Sequence, residues 1–415
     1  MLPTCRQLEF TPHLMTPSFL VSMWLSGLLS LAGVGGAVFA VHRWYHDSWG
    51  WDFSLGQSYF QPGTSLPAVA LLLGAAVLAL VAVYGRPLVC IALMTFRPSE
   101  ADPEPDPREG MPPSTSGAIA RADGSTLHVE FYGPVDGAPL ICTHGWGLSS
   151  AEWNYLKRHV PPGYRLVVWD LPGCGRSLPP ENRDFSLEKF ATDLHEVLQF
   201  LGPSRKPAIL MGHSIGGMII LTFCKLFPAA LESSVAGIVL VHTTPTDPVR
   251  TTSGAALLTL IEKPVLVPLA YATIALSPLV WLMNWLAYLN GTVHLMNLRS
   301  SFGGTETWQQ IDFSARFQPL VSPAVLARGM LAMMHYDATA VLRTITVPAL
   351  VVTGDQDTTT KPSAGRTIQQ GMPKASLLEL SPAKHLGLIE HHYRLQGAVS
   401  AFCGKLRPLA HAKSA

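Results

Sequence analysis

Two long uncharged apolar stretches open the chain, and short apolar runs separated by polar segments fill the rest. Residues 19–41 hold no Asp, Glu, Lys or Arg over 23 positions, and residues 66–84 hold none over 19. About 20 apolar residues cross the hydrocarbon core of a bilayer, so both runs predict transmembrane helices. Trp44, Tyr45, Trp49, Trp51 and Phe53 lie between them, the composition of an interfacial aromatic belt. Gly33 and Ala37 form a small-xxx-small pair that lets two such helices approach closely. Two other readings stand beside this one. They are a buried helical hairpin of a soluble protein and, for the first run, a cleavable signal peptide ending near Ala40. Arg86 and Pro87 are expected to end the second span, leaving 88–96 as a short apolar segment along the interface.

Past residue 97 the pattern changes. Residues 98–116 are Pro-rich and acidic, which predicts a stiff, solvated linker. Residues 117–132 alternate like a β-hairpin, with Asp123-Gly124 at the turn. Short buried-strand patterns follow at 140–143, 166–169, 208–211, 238–241, 349–352 and 376–380. Helical patterns at 185–201, 218–227 and 359–372 alternate with them. Such alternation predicts an α/β domain with a mostly parallel sheet covered on both faces. The expected organisation is an anchor over 1–97, a linker over 98–116 and a catalytic domain over 117–408. A lid insertion is expected over about 245–335.

Candidate chemistry sits at the strand ends. Gly212-His213-Ser214-Ile215-Gly216 follows a strand pattern and precedes a helix pattern. In that context G-x-S-x-G is a nucleophile elbow, with Ser214 raised on a sharp turn. A serine nucleophile needs an adjacent base and a third group to orient that base. Downstream, Gly354-Asp355-Gln356-Asp357 closes one strand, and Ala383-Lys384-His385 follows the next. His385 is the expected base. Asp355 and Asp357 are both candidates for its carboxylate partner; Asp357 is favoured, with Asp355 capping its own turn. His391 and His392 are expected to be a solvated pair on the last helix. The backbone N–H groups of Ile215 and of Trp146, in the loop His144-Gly145-Trp146-Gly147, are the candidate oxyanion donors. His144 is expected to hold that loop.

These motifs, together with Trp169-Asp170-Leu171-Pro172-Gly173-Cys174-Gly175-Arg176-Ser177 and with Glu390 five residues after His385, resemble the α/β-hydrolase superfamily in its lid-bearing serine branch. The resemblance covers roughly residues 115–408. It implies an α/β-hydrolase fold with a helical lid and a triad of Ser214, Asp357 and His385. Trp146 and Ile215 would donate to the oxyanion, with no metal and no organic cofactor. Lys384 stands where many members carry glycine. Serine at the elbow implies an acyl-enzyme rather than the alkyl-enzyme of the aspartate branches.

Residues 264–298 carry no Asp, Glu, Lys or Arg over 35 positions and would pass for a third span. A single crossing there would put Ser214 on one side of the membrane and Asp357 with His385 on the other. Pro268 and Pro278 also interrupt a straight helix. The segment is therefore expected to form the lid. Trp281, Trp285 and Tyr288 would face lipid or substrate, or else pack inside the lid.

Composition narrows the function. Charged residues make up 14% and the net charge is +1, which gives no basic surface for nucleic acid. Six cysteines, at 5, 90, 142, 174, 224 and 403, show neither disulfide nor metal spacing; Cys142 and Cys224 are expected in the core. Arginines 6, 43, 86, 97 and 108 bias the topology toward both termini in the cytoplasm. The expectation is a two-span membrane enzyme whose catalytic domain is cytoplasmic. It would hydrolyse carboxylic esters of apolar acyl groups, as membrane-bound lipases and esterases do. The alternatives are an acyltransferase or thioesterase on the same triad, or an inactive membrane scaffold.

Overall fold

The computed structural model describes residues 15–96, 104–202 and 206–406. Cys5, Arg6, Arg97 and the 98–103 part of the linker lie outside the described residues. Helices α1 (Met15–Asp47) and α2 (Leu66–Phe96) pack together as a hairpin. Ala37 and Ala40 meet Ala75 and Ala79 at their contact, and the bare Gly33 lies beside Leu78. Small side chains bring the two backbones close. The aromatic segment between them is not a loop but a two-stranded ribbon, β1 (Trp49–Asp52) and β2 (Gln57–Phe60). Phe60 there contacts the rings of Trp44, Tyr45 and Trp49.

Arg86 and Pro87 do not end α2. The helix bends at Tyr84 and runs on to Phe96. Proline removes one helical N–H and crowds the preceding turn, which kinks a helix without ending it where packing holds the far side. Here Gly85 lies against the backbone of Asn290, leaving no room for a side chain.

The catalytic domain begins with β3 (Thr115–Ala120) and β4 (Thr126–Tyr132), joined through the left-handed Gly124. Next come β5 (Ala138–Thr143), α3 (Asn154–Arg158), β6 (Tyr164–Trp169), α4 (Leu187–Phe200) and β7 (Ala208–His213). Then follow α5 (Ile215–Leu226), α6 (Pro228–Ser234) and β8 (Val235–Val241). The insertion supplies α7 (Pro248–Thr251), α8 (Ala255–Ile261), a π-helical turn, α9 (Val267–Ala275) and α10 (Ser277–Leu289). It continues through α11 (Thr292–Ser300), α12 (Trp308–Arg316) and α13 (Pro323–Met333). The chain closes with β9 (Ala349–Gly354), α14 (Pro362–Gly371), β10 (Ala375–Leu380), α15 (Gly387–Glu390) and α16 (His392–Leu406).

One eight-stranded sheet runs in the order β10-β9-β8-β7-β5-β6-β4-β3. Only the β3–β4 and β4–β6 pairs are antiparallel. Every residue of β7 and of β9 is buried, which is why these strands read as unbroken apolar runs. Cys142 and Cys224 lie in the core on the two faces of the sheet. This is the α/β-hydrolase architecture.

The described part of the linker, although largely exposed, is docked by hydrogen bonds, and the aromatic residues of the insertion divide between the two readings. Arg158 donates to the carbonyls of Pro105 and Asp106, and Asn154 donates to that of Pro107. A proline-rich strand keeps its carbonyls free to accept, and α3 offers the donors. Tyr288 is buried with Ala287, Val293 and Ala315, whereas Trp281 and Trp285 are each 39% exposed.

The insertion is fastened to the helical hairpin. Gly27 lies so close to Met283 of α10 that a Cβ would sit 2.6 Å from the methionine's own. The Asn290 amide donates to Ser26 and Ser30 at 2.8 and 2.7 Å. Arg86 donates to both oxygens of Asp312 on α12, and Arg108 donates to one at 2.7 Å. Among the described residues, three helical stretches are long and apolar enough to cross a membrane: Trp24–Asp47, Leu66–Phe96 and Ala255–Ala275. The third is interrupted midway by Glu262 and Lys263 in the π-helical turn.

Candidate active site

The elbow lies between β7 and α5. Ser214 has φ +52° and ψ −117°, a strained conformation for a residue with a side chain. The strain is tolerated because the flanking glycines allow a close turn. A Cβ on Gly212 would sit 2.4 Å from the Gly216 carbonyl carbon, and one on Gly216 would sit 2.3 Å from the Thr143 oxygen. Ser214 N–H donates to the Val241 carbonyl, and Thr243 Oγ1 donates to the Ser214 carbonyl at 2.7 Å. Neighbouring strand ends therefore pin the turn.

Three of the expected residues meet. Ser214 Oγ lies 3.0 Å from His385 Nε2, and His385 Nδ1 lies 2.9 Å from Asp357 Oδ2. They come from the ends of β7, β9 and β10, the edge of a parallel sheet where ligands gather. With Asp357 ionised, His385 carries its proton on Nδ1 and leaves Nε2 to accept from the serine. Asp357 is buried, and burial alone would raise its carboxyl pKa. The imidazoles of His385 and His242 beside it outweigh that and hold it well below the usual range. Its oxygens also accept from the N–H groups of Thr359 and Thr360 and from the Thr360 hydroxyl. Asp355 does not contact His385. It accepts from Ser381 Oγ at 2.7 Å and from Ala383 N–H at 2.9 Å, and so positions the histidine loop.

His144 is fully buried. Its Nδ1 donates to the Gly145 carbonyl at 2.7 Å, and its Nε2 accepts from Leu171 N–H at 2.9 Å. Burial lowers its pKa, so it holds the loop as a neutral ring. The Trp146 ring lies over Gly329 of α13 and donates to the Leu326 carbonyl at 3.1 Å, tying the loop to the lid. Ile215 opens α5, whose first N–H groups face the elbow. Lys384 donates to the Arg299 carbonyl at 2.6 Å, so the residue in the glycine position ties the histidine loop to α11. Glu390 accepts from the N–H groups of Gly303 and Thr305.

His391 and His392 are not a solvated pair. His391 contacts the Pro382 carbonyl, and His392 is buried and stacked on Tyr155 with ring centroids 3.7 Å apart. The sequence reading missed His242. Its Nδ1 lies 3.4 Å from Asp357 Oδ2, and its φ is +44°. Its signal was a position just past β8, next to the elbow in the sheet order. Burial lowers its pKa and keeps it neutral beside the aspartate.

Among the described residues one trio could be considered for a metal: Cys90, His294 and Asp312. Two guanidiniums already occupy the Asp312 oxygens, and their charge repels a cation.

Comparisons with known proteins bear on the family and the fold. Residues 140–395 match the alpha/beta hydrolase family. A serine hydrolase-like protein of Danio rerio is 33% identical over 110 residues, 26% of this chain and 33% of that protein. Lipase 1 of Psychrobacter immobilis is 24% identical over 287 residues, 66% of this chain and 79% of the lipase. The chain thus spans only about a third of the first relative's length. The solved esterase of Thermogutta terrifontis superposes with a TM-score of 0.58 at 20% identity. That match covers 71% of this chain and 100% of the esterase, a likeness of fold.

Proposed function

The chain belongs to the alpha/beta hydrolase family and is esterase- and lipase-like; from that premise we propose that it is a membrane-anchored serine hydrolase acting on carboxylic esters with an apolar acyl part. The observation that carries this reading is the contact of Ser214 Oγ with His385 Nε2, backed by Asp357 on Nδ1. Ser214 attacks the ester carbonyl while His385 Nε2 takes the hydroxyl proton. Asp357 holds the tautomer and stabilises the imidazolium. The N–H groups of Trp146 and Ile215 receive the oxyanion. Collapse of the tetrahedral intermediate expels the alcohol, which takes the proton from His385 and leaves an acyl-serine. Water, deprotonated by the same histidine, attacks the acyl-serine; the acid departs and Ser214 regains its proton.

The membrane-anchored part of the reading rests on the exposed apolar surface of the hairpin and the insertion. Leu66, Leu73 and Leu29 on α1 and α2, and Leu260 and Tyr271 on the lid, are all more than half exposed. An apolar surface of this extent marks a membrane-facing region. The 19 residues 66–84 form about 28 Å of helix, close to the ~30 Å hydrocarbon core. We read α1 and α2 as the two spans, with residues 1–97 as the anchor and 117–408 as the catalytic domain. We read Ala255–Ala275 as part of the lid, because Glu262 and Lys263 would lie in mid-bilayer if it crossed.

A fluorophosphonate probe tests the reading. The expected result is a covalent adduct on Ser214, no adduct in Ser214→Ala, and loss of p-nitrophenyl butyrate hydrolysis by about 10⁶ in kcat. Hydrolysis by Ser214→Ala near the wild-type rate would overturn it.

A further inference from the structure

Glu152 stands in a short 3-10 turn (Ser150–Trp153), buried to 3% exposure. Its Oε2 accepts from the N–H of Gly145, the residue before Trp146, at 3.0 Å. Its Oε1 lies 2.5 Å from Nδ1 of His213, the residue before Ser214. His213 is itself 1% exposed on its side chain, and its Nε2 lies 3.1 Å from the His385 carbonyl oxygen. One carboxylate and one imidazole therefore touch the oxyanion loop, the elbow and the histidine loop.

A carbonyl oxygen only accepts, so Nε2 of His213 carries a hydrogen. The Glu152 carboxylate and the His213 imidazole face each other at ion-pair distance, so each offsets the other's burial, whereas either member alone would be left with an uncompensated polar group. Gly145 completes the fit, since a Cβ there would lie 2.6 Å from His213 Nδ1.

We propose that Glu152 and His213 are positioning residues. They form a buried brace that sets the Trp146 N–H, the Ser214 hydroxyl and the His385 ring in one productive geometry. The proposal rests on the triad reading above. Neither residue touches substrate. Each acts by holding a loop that does, and a displacement on the order of 1 Å can cost ~100-fold in rate.

The test uses the full-length protein in detergent. Active sites are first titrated with the fluorophosphonate, and kcat is expressed per titrated site on p-nitrophenyl butyrate. Glu152→Ala is expected to lose about 10- to 100-fold in kcat, with KM within about threefold, because transition-state rather than ground-state contacts are disturbed. Glu152→Gln keeps an oxygen to accept from Gly145 N–H and places its amide against His213 Nδ1. It is expected within about threefold of wild type. Glu152→Ala with His213→Ala should be no worse than Glu152→Ala alone, as members of one unit are non-additive. If Glu152→Ala does not accumulate, Glu152→Asp carries the test, with at least about a fivefold fall expected from its shorter reach. An unchanged kcat per titrated site in the Ala or Asp variant overturns the brace, as does Gln behaving like Ala. Wild-type protein that labels elsewhere than Ser214 overturns the triad, and the brace with it, before any Glu152 variant is measured.

Discussion

The C-terminal edge of the sheet and the lid with its helical hairpin are built on opposite rules. At the sheet edge polar groups are buried against one another. Asp357 accepts from two backbone N–H groups, a hydroxyl and an imidazole. Asp355, His144 and Glu152 each hold a loop. The lid and hairpin bury small residues against each other and leave large apolar ones outside, with Leu260 and Leu66 at 74% and 84% exposure. The first region buries its polar groups against one another. The second leaves a broad apolar surface exposed.

The contrast breaks most visibly at the aspartates. Asp357→Asn is expected to lower kcat by about 10⁴, because an amide favours the wrong imidazole tautomer. Asp355→Asn keeps an acceptor for Ala383 N–H and is expected to cost about tenfold or less by the same logic of positioning. Steady-state kinetics on a soluble ester checks both. The reverse ranking would move the orienting carboxylate to Asp355.

Sequence and structure met most closely at this edge. Ser214, Asp357 and His385 were legible because each follows a short apolar strand, and strand ends of a parallel sheet converge whatever the intervening lengths. What could not be read were contacts between groups with no periodic signal. His242 reaches Asp357 only through strand order, and Glu152 reaches His213 only through the fold of a 3-10 turn. The same limit explains the docked linker and the His391–His392 pair, whose contacts depend on partners in α3 and on Tyr155. In the apolar part, periodicity located the helices. It did not reveal that α2 continues through Pro87, because that depends on Asn290 packed at Gly85.

Sidedness is the next way to sharpen the comparison. Tags inserted after Ser253 and after Ser301 are expected in one compartment in a protease-protection assay on sealed vesicles. Opposite compartments would remove both the lid reading and the triad. The smallest expected effect concerns the exposed tryptophans. Trp281→Ala with Trp285→Ala should lower activity on a bilayer-embedded ester several-fold more than on a soluble one. Indole rings combine apolar area with a polar N–H suited to the interface. Equal losses on the two substrates would assign these rings to lid packing, to which the Trp281 hydrogen bond with the Pro319 carbonyl already contributes.

Asp312 has a consequence for where this molecule can be cut. Its carboxylate, with no solvent exposure, is shared by Arg86 from the second hairpin helix, Arg108 from the docked linker and His294 from the lid. Severing the chain in the proline-rich stretch looks natural on paper, since composition changes there. It would keep Arg108 and remove Arg86, and it would also strip Gly27, Ser26 and Ser30 from the flank of α10. Taking one partner from a buried ion pair costs on the order of 3–5 kcal/mol when no other remains, and here Arg108, His294 and the more distant Arg316 remain to soften the loss. The seam of the polypeptide and the seam of its folding energy therefore fall in different places, and a soluble version would have to be redesigned at Asp312 and along α10, not merely trimmed.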